Sequence, residues 1–248
     1  MYLHYTSDGY LLIFPEDNIH RVVDAMLATG YNEEFCIALD FSPGFVARLM
    51  EAGFLVMSAE VFDKDEGKSV CVLLPKLHLI RSALFFENLH IKRSIRRFLP
   101  RYELRPDEDF DRILDRCVQV HGAEWLTPPL VESIRKIREN TGRMAACGPT
   151  KTAHPVSFAL YREGKLVAGE FGVVAGRVYT SYSGYYDEDN AGTVQLILTT
   201  RYLQTRNFAF FDLGMPLDYK TNLGAVDISP EEFVAIFRSK PGRYVSGL

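Results

Sequence analysis

Asp212 closes the run Phe208-Ala209-Phe210-Phe211, which reads as a buried strand. A carboxylate in such a place is costly unless it is hydrogen-bonded or used, so it is either a strand-end cap or a group that orients a proton-bearing substrate. Between Lys92 and Arg105 the chain carries six basic residues, Lys92, Arg93, Arg96, Arg97, Arg101 and Arg105, against the single acid Glu103. That run is either a solvated charged face or a surface for an anionic partner. Trp125, the only tryptophan, is either core or a stacking surface. Tyr182, Tyr185 and Tyr186 precede Asp187-Glu188-Asp189, a stretch that either packs or offers hydroxyls and negative charge to a cationic group.

Other chemistries are excluded by what is not written. The six histidines show no H-x-x-x-H or H-E-x-x-H pairing, and Cys36, Cys71, Cys117 and Cys147 form no C-x-x-C pair, so no metal is expected and the cysteines read as reduced. No P-loop or Rossmann fingerprint is present, because Gly169, Gly172 and Gly176 lie inside a strand pattern. Asp187, Glu188 and Asp189 stand just ahead of a helix start, where they would repel a pyrophosphate, which argues against coenzyme A; no cofactor is expected. With 28 Lys plus Arg against 32 Asp plus Glu, the formal charge of -4 does not suit a protein that coats nucleic acid with its whole surface. The apolar run Tyr10 to Phe14 is too short for a signal core, and no run reaches a membrane span of roughly 18 residues, so the reading is a soluble, cytoplasmic protein.

The elements that must hold these groups follow from periodicity. At 248 residues and 47% hydrophobic composition, the chain buries a sizeable core without staples. Ile19, Val22, Val23, Met26 and Leu27 predict a helix ending at Gly30, and Ser42-Pro43 opens a second that buries Phe45, Val46, Leu49 and Met50. Phe54 to Val61 and Val70 to Leu74 predict a hairpin around the loop Asp63 to Lys68. A boundary within Pro75 to Asn88 divides the chain into residues 1–85, a small α+β domain, and 86–248. The second part has a helix through Phe110, Ile113, Leu114, Cys117 and Val118, another over Pro129 to Glu139, and three strands, 156–162, 165–175 and 177–183, as a meander. A helix over 192–204, the strand 208–213 and a last helix opened by the capping box Ser229-Pro230-Glu231-Glu232 complete it. This order is that of acetyltransferase-like (GNAT-type) α+β folds with a mostly antiparallel sheet.

Leu89-His90-Ile91-Lys92-Arg93-Ser94-Ile95-Arg96-Arg97-Phe98 resembles the S-L-H-I-S-R-S-M-K-R-F segment of leucyl/phenylalanyl-tRNA–protein transferases. Trp125-Leu126-Thr127 is similar to the family's W-I-T, His154 to Val174 to its H-S-I-E-V-W…L-V-G-G-M-Y-G-V, and Asn190-Ala191 to its N-A-S-K helix start. Asp212 falls on the aspartate of its D-x-Q and Leu223-Gly224-Ala225 on its L-G-A; Phe14-Pro15 and Ala38 to Pro43 are fainter matches. The likeness covers nearly the whole chain and is specific from about Leu89 onward.

The resemblance implies transfer of Leu or Phe from aminoacyl-tRNA to the N-terminal amine of an acceptor protein, marking it for degradation, with neither membrane nor DNA as a partner. On that basis Lys92, Arg93, Arg96 and Arg97, at spacings that fit one helical side, hold the acceptor stem. Trp125 and Thr127 with Tyr182 and Ser183 bind the aminoacyl-adenosine end, and Asp212 orients the attacking amine or its proton relay. The sequence departs from the family's pattern at three places. Gly214 stands for the glutamine of D-x-Q, Tyr182 for the glutamate of G-E-S-M-F, and Leu55-Val56-Met57 and the region of Leu73 to Lys76 lack the tryptophans of F-P-W and W-W-S-P. The rival readings are a GNAT-fold transferase with another acyl donor and a tRNA-binding relative without catalysis.

Overall fold

The computed structural model describes residues 3–63, 67–143 and 148–239; Cys147 and the middle of the expected 63–68 loop lie outside the described residues. Two short strands, β1 (His4–Tyr5) and β2 (Leu11–Leu12), pair at the start of the chain. Helix α1 (Ile19–Thr29) begins at Asn18, whose side chain accepts from the Arg21 N–H, and ends at Gly30 with φ 62°, the left-handed geometry that glycine tolerates. Helix α2 (Pro43–Glu51) buries Phe45, Val46, Leu49 and Met50 as expected; Ser42 occupies its N-cap position, but its side chain makes no capping bond. The expected hairpin is β3 (Leu55–Asp63) paired antiparallel with β4 (Lys68–Lys76).

The rest of the chain builds around a seven-stranded sheet. Its elements in order are β5 (Arg81–Leu84), α3 (Arg93–Arg96), β6 (Glu103–Pro106), α4 (Phe110–His121), α5 (Pro128–Thr141), β7 (Thr150–Arg162), β8 (Lys165–Gly176) and β9 (Val178–Tyr186). Then follow α6 (Ala191–Thr205), β10 (Phe210–Asp212), α7 (Asp218–Asn222), β11 (Val226–Ile228) and α8 (Pro230–Phe237). The strands lie in the order β11-β5-β10-β9-β8-β7-β6. Every pairing is antiparallel except β9 with β10, which run parallel and are joined by α6, the helix-length connection a parallel pair requires. The architecture is therefore mixed α+β with a mostly antiparallel sheet. The meander β7–β8–β9 and the capping box of α8 match the sequence expectation. Strands β5, β6 and β11 were not expected: each is three or four residues long, too short to show alternation.

Both faces of the sheet are covered. On one, Phe171, Val173, Val178 and Phe210 pack with Ile113 of α4, Leu130 of α5 and Phe233 of α8. On the other, Phe158, Val174, Tyr179 and Phe211 pack with Leu203 of α6. Each large side chain so buried contributes about 1.5–3 kcal/mol. The register shifts between Phe171 and Gly172, where a Cβ would stand 2.1 Å from the Thr180 carbonyl oxygen; only glycine lets β8 and β9 approach this closely. Among the described residues no helix is long and apolar enough to cross a membrane.

Candidate active site

Asp212 is the last residue of β10 and is fully buried. Its parallel partner is Thr180 of β9 and its antiparallel partner Ala83 of β5. The Thr180 hydroxyl donates to Oδ2 at 2.8 Å and the Gly214 N–H to Oδ1 at 3.0 Å. Gly214 has φ +70°, so the chain reverses there in a conformation costly for other residues. The Nε of Arg81 lies 3.5 Å from Oδ1, its Nη1 donates to the Gly53 carbonyl at 3.1 Å, and its guanidinium sits 3.8 Å from the centre of the Phe233 ring. Burial lowers the Arg81 pKa against the opposing pull of Asp212. The buried Lys220 ammonium donates to the carbonyls of Leu213 and Met215 at 2.6 and 2.7 Å, fixing the turn that follows; burial pulls it down to about 8 while Asp212 opposes the shift.

This corner also holds buried polar atoms without a hydrogen bond among the described residues. His78 Nε2 is one, 3.6 Å from where a Cβ on residue 214 would stand, and Arg81 Nη2 is another. Burial first, then the charges of Arg81, Lys76 and Lys220, pull His78 down to about 2, so its ring is neutral. Strand β9 continues to Tyr186 whereas β10 stops at Asp212, so the parallel strands part here. Buried donors and acceptors left unsatisfied beside parting strands are where a substrate's polar atoms would be met.

Strand β3 links three of the other expected residues to this corner. The Val56 N–H donates to the Tyr182 hydroxyl at 3.0 Å, and Tyr182 leans on Phe171 with ring centres 6.0 Å apart. Two residues on, the Ser58 N–H donates to the Trp125 carbonyl at 2.9 Å, and the Ser58 and Thr127 hydroxyls are 2.8 Å apart. Trp125 is half-buried against the core. Burial raises the Tyr182 hydroxyl well above its usual range. Burial pushes the Cys117 thiol of α4 up to about 12, and Ser183 beside it opposes the shift.

Lys92, Arg93, Arg96 and Arg97 stand elsewhere. The helix expected to align them is a single turn, α3, with Lys92 before it and Arg97 at its end. Ile95, Phe98, Leu99 and Tyr102 anchor the segment on Leu160, Ala168, Ala191 and Val194, on the α6 side of the sheet. All four basic residues are exposed, and none forms an ion pair among the described residues. Of the three acids ahead of α6, Asp187 pairs with Arg116 at 2.7 Å and Glu188 with Arg162 at 2.8 Å, so their repulsion of an anion is weaker than the sequence implied.

Sequence reasoning missed Arg81, His78, Lys220 and Glu170. Glu170 lies in the middle of β8, is 3% exposed, and faces α6 rather than the Asp212 side. Its Oε2 accepts from Ser181 of β9 at 3.0 Å, with Gln195 and Thr199 of α6 beside it. Burial raises its carboxyl to about 7, opposed by the polar groups of Ser181, Thr199 and Gln195 beside it. A charge inside the apolar run Leu166 to Val174 was the available signal.

Residues 83–238 match the family described as leucyl/phenylalanyl-tRNA protein transferase. The chain belongs to this family. Among curated leucyl/phenylalanyl-tRNA–protein transferases, that of Pseudomonas entomophila (strain L48) is 30% identical over 158 residues, 62% of this chain and 65% of the relative. That of Maridesulfovibrio salexigens is 27% identical over 160 residues, 62% of each. The match thus spans less than two thirds of these relatives' length. A solved structure of a conserved protein of unknown function from Bacteroides thetaiotaomicron superposes with TM-score 0.40 at 12% identity, over 87% of this chain and 74% of that one.

Proposed function

We propose that this chain transfers an amino acid from aminoacyl-tRNA to the N-terminal amine of an acceptor protein or peptide in the cytoplasm, marking it for degradation. The observation that carries this reading is the fully buried Asp212, clasped by Thr180 and Arg81 where β9 and β10 part, within a chain of this family. In the reaction the amine nitrogen bonds to the ester carbonyl carbon, the ester C–O bond breaks, the nitrogen sheds a proton and the tRNA ribose oxygen gains one. Asp212 fixes the turn at Gly214 and the charge of Arg81, and so positions the groups that receive the amine. Trp125, Thr127, Tyr182 and Ser183 line the aminoacyl-adenosine end, while Lys92, Arg93, Arg96 and Arg97 meet acceptor-stem phosphates without reading sequence.

The parallel β9–α6–β10 crossover supports a GNAT-like reading of residues 86–248, with residues 1–85 as a small N-terminal unit that lends β5 to the sheet. Loss of the family's glutamine and glutamate, at Gly214 and Tyr182, favours one second reading: a relative that binds tRNA and does not turn over. The variant Asp212→Asn separates them. The transferase reading predicts loss of most transfer with tRNA affinity retained; a wild-type protein that binds tRNA and transfers nothing establishes the second.

A further inference from the structure

Most polar groups at the Asp212 corner are already committed. The two Asp212 oxygens take the Thr180 hydroxyl and the Gly214 N–H, Lys220 is spent on two carbonyls, and the Tyr182 hydroxyl accepts from the Val56 N–H. Arg81 gives Nη1 to the Gly53 carbonyl and lies over the Phe233 ring, which together fix its plane. Without a hydrogen bond among the described residues are His78 Nε2 and, on Arg81, Nε and Nη2. The arginine nitrogens can only donate, so His78 supplies the acceptor. Its side chain is 5% exposed, and burial, followed by the charges of Arg81, Lys76 and Lys220, keeps the ring neutral. A neutral imidazole carries a proton on one nitrogen and a lone pair on the other.

The ring nitrogen faces bare backbone. Around the point where a Cβ on residue 214 would stand, leaving aside residues 213 and 215, the atoms within 4 Å are His78 Nε2 at 3.6 Å and Leu55 Cδ1 at 3.7 Å, both at ordinary van der Waals separation. The Ser82 N–H donates to the Gly214 carbonyl at 2.7 Å and ties the two loops together. Leu79, Ile80 and Met215, which follow His78 and Gly214 in the chain, are exposed, so this acceptor lies one residue beneath the surface where β9 and β10 part. We infer that His78 Nε2 accepts an N–H of the acceptor's α-amine and holds that nitrogen beside Gly214 for attack on the aminoacyl ester, with the ring's own proton on Nδ1. The inference rests on the proposed aminoacyl transfer. The amine nitrogen bonds to the ester carbonyl carbon, the C–O bond to the ribose breaks, and the proton that the nitrogen sheds passes to the ribose oxygen. His78 keeps the N–H that remains in the new amide, so the ring is neutral before and after, and its contribution is orientation of the lone pair. Arg81, Lys76 and Lys220 outnumber the one carboxylate, Asp212, around the ring, and Tyr182 stays protonated, so the corner takes the amine in its neutral form.

The test compares wild-type protein with His78→Leu, His78→Gln and Gly214→Ala in two assays. The first is calorimetric binding, at about pH 9 where an α-amine is mostly neutral, of an Arg-initiated peptide with a free α-amine and of the same peptide N-acetylated; it requires neither tRNA nor turnover. The second is transfer from leucyl- and phenylalanyl-tRNA, with KM measured separately for tRNA and peptide. His78→Leu should weaken binding of the free-amine peptide about tenfold or more while the acetylated peptide binds both proteins alike. It should lower kcat/KM for the peptide by at least that factor and leave KM for aminoacyl-tRNA unchanged. His78→Gln, whose side-chain carbonyl can accept, should recover part of both losses, and Gly214→Ala, with a methyl group facing the ring nitrogen, should lose the preference for the free amine although His78 is intact. Circular dichroism and cooperative unfolding show which variants are folded; if His78→Leu is not, Gly214→Ala decides. Amine-selective binding that is lost in His78→Leu, without transfer by the wild type from any aminoacyl-tRNA, would refute the transferase reading and keep the amine site. Equal discrimination between the two peptides in wild type and His78→Leu, no discrimination in the wild type, or a parallel loss of both peptides and tRNA, as a purely structural His78 would give, would overturn the inference.

Discussion

Glu170 makes a prediction that needs no substrate. In the unfolded chain its carboxyl ionises near 4.5 and in the folded protein near 7, because the strand interior disfavours the charge. Between those values the folded state holds a proton that the unfolded state has released, so the contribution of Glu170 to stability falls as pH rises through that window and levels off above it. At 1.36 kcal/mol per pH unit the full penalty is about 3 kcal/mol, of which about 2–3 kcal/mol develops between pH 5 and 8. Glu170→Gln keeps the shape and removes the titration. Urea unfolding of both proteins across this range, followed by far-ultraviolet circular dichroism, cancels the pH dependence they share. The variant should gain on the wild type by about 2–3 kcal/mol from pH 5 to pH 8. A difference that stays constant to within about 0.5 kcal/mol would show that Glu170 ionises alike in both states and would remove the basis for a desolvated carboxyl.

Arg81→Met strands the fully buried Asp212 charge and should cost about 3–5 kcal/mol in urea unfolding, much of it regained when Asp212→Asn is added; equal losses in the single and double variants would deny the coupling. Replacing Lys92, Arg93, Arg96 and Arg97 by Ala should lower the slope of log affinity for tRNA against log salt by about three to four in fluorescence anisotropy, and an unchanged slope would mean that these side chains do not meet phosphate. Gly172→Ala would place a Cβ 2.8 Å from the Tyr179 ring and against the Thr180 carbonyl. We expect a loss of about 3 kcal/mol or more in thermal or urea unfolding, and a variant as stable as the wild type would show that β8 and β9 can separate.

The long elements were legible because their periodicity runs for many residues. The apolar stripe of α1 ending at Gly30, the meander β7–β8–β9 and the box Ser229 to Glu232 each signal locally. What the sequence hid is non-local. The burial of Asp212 can be read from Phe208 to Phe211, but its cation comes from β5 and its hydroxyl partner from β9, and only the sheet brings them together. Trp125 and Tyr182 are both hydrogen-bonded to β3, a strand of the N-terminal hairpin with no chemical signature of its own. The basic segment was read as one helical side, yet Pro100 and the chain's return into β6 cut the helix to a turn, leaving hydrophobic anchoring by Ile95, Phe98 and Leu99 to set its position. Glu170 was passed over because a single charge in a strand pattern does not reveal which face it takes or whether a cation waits there.

Mass spectrometry of an acceptor peptide tests the central claim most directly. The peptide, beginning with Arg or Lys, is incubated with the protein and a total pool of aminoacylated tRNA. Transfer predicts a mass gain of one amino-acid residue at the peptide's N-terminus, abolished by prior ribonuclease treatment and by Asp212→Asn, with the added mass naming the amino acid. A peptide of unchanged mass, in the presence of tRNA that the protein demonstrably binds, would contradict the account.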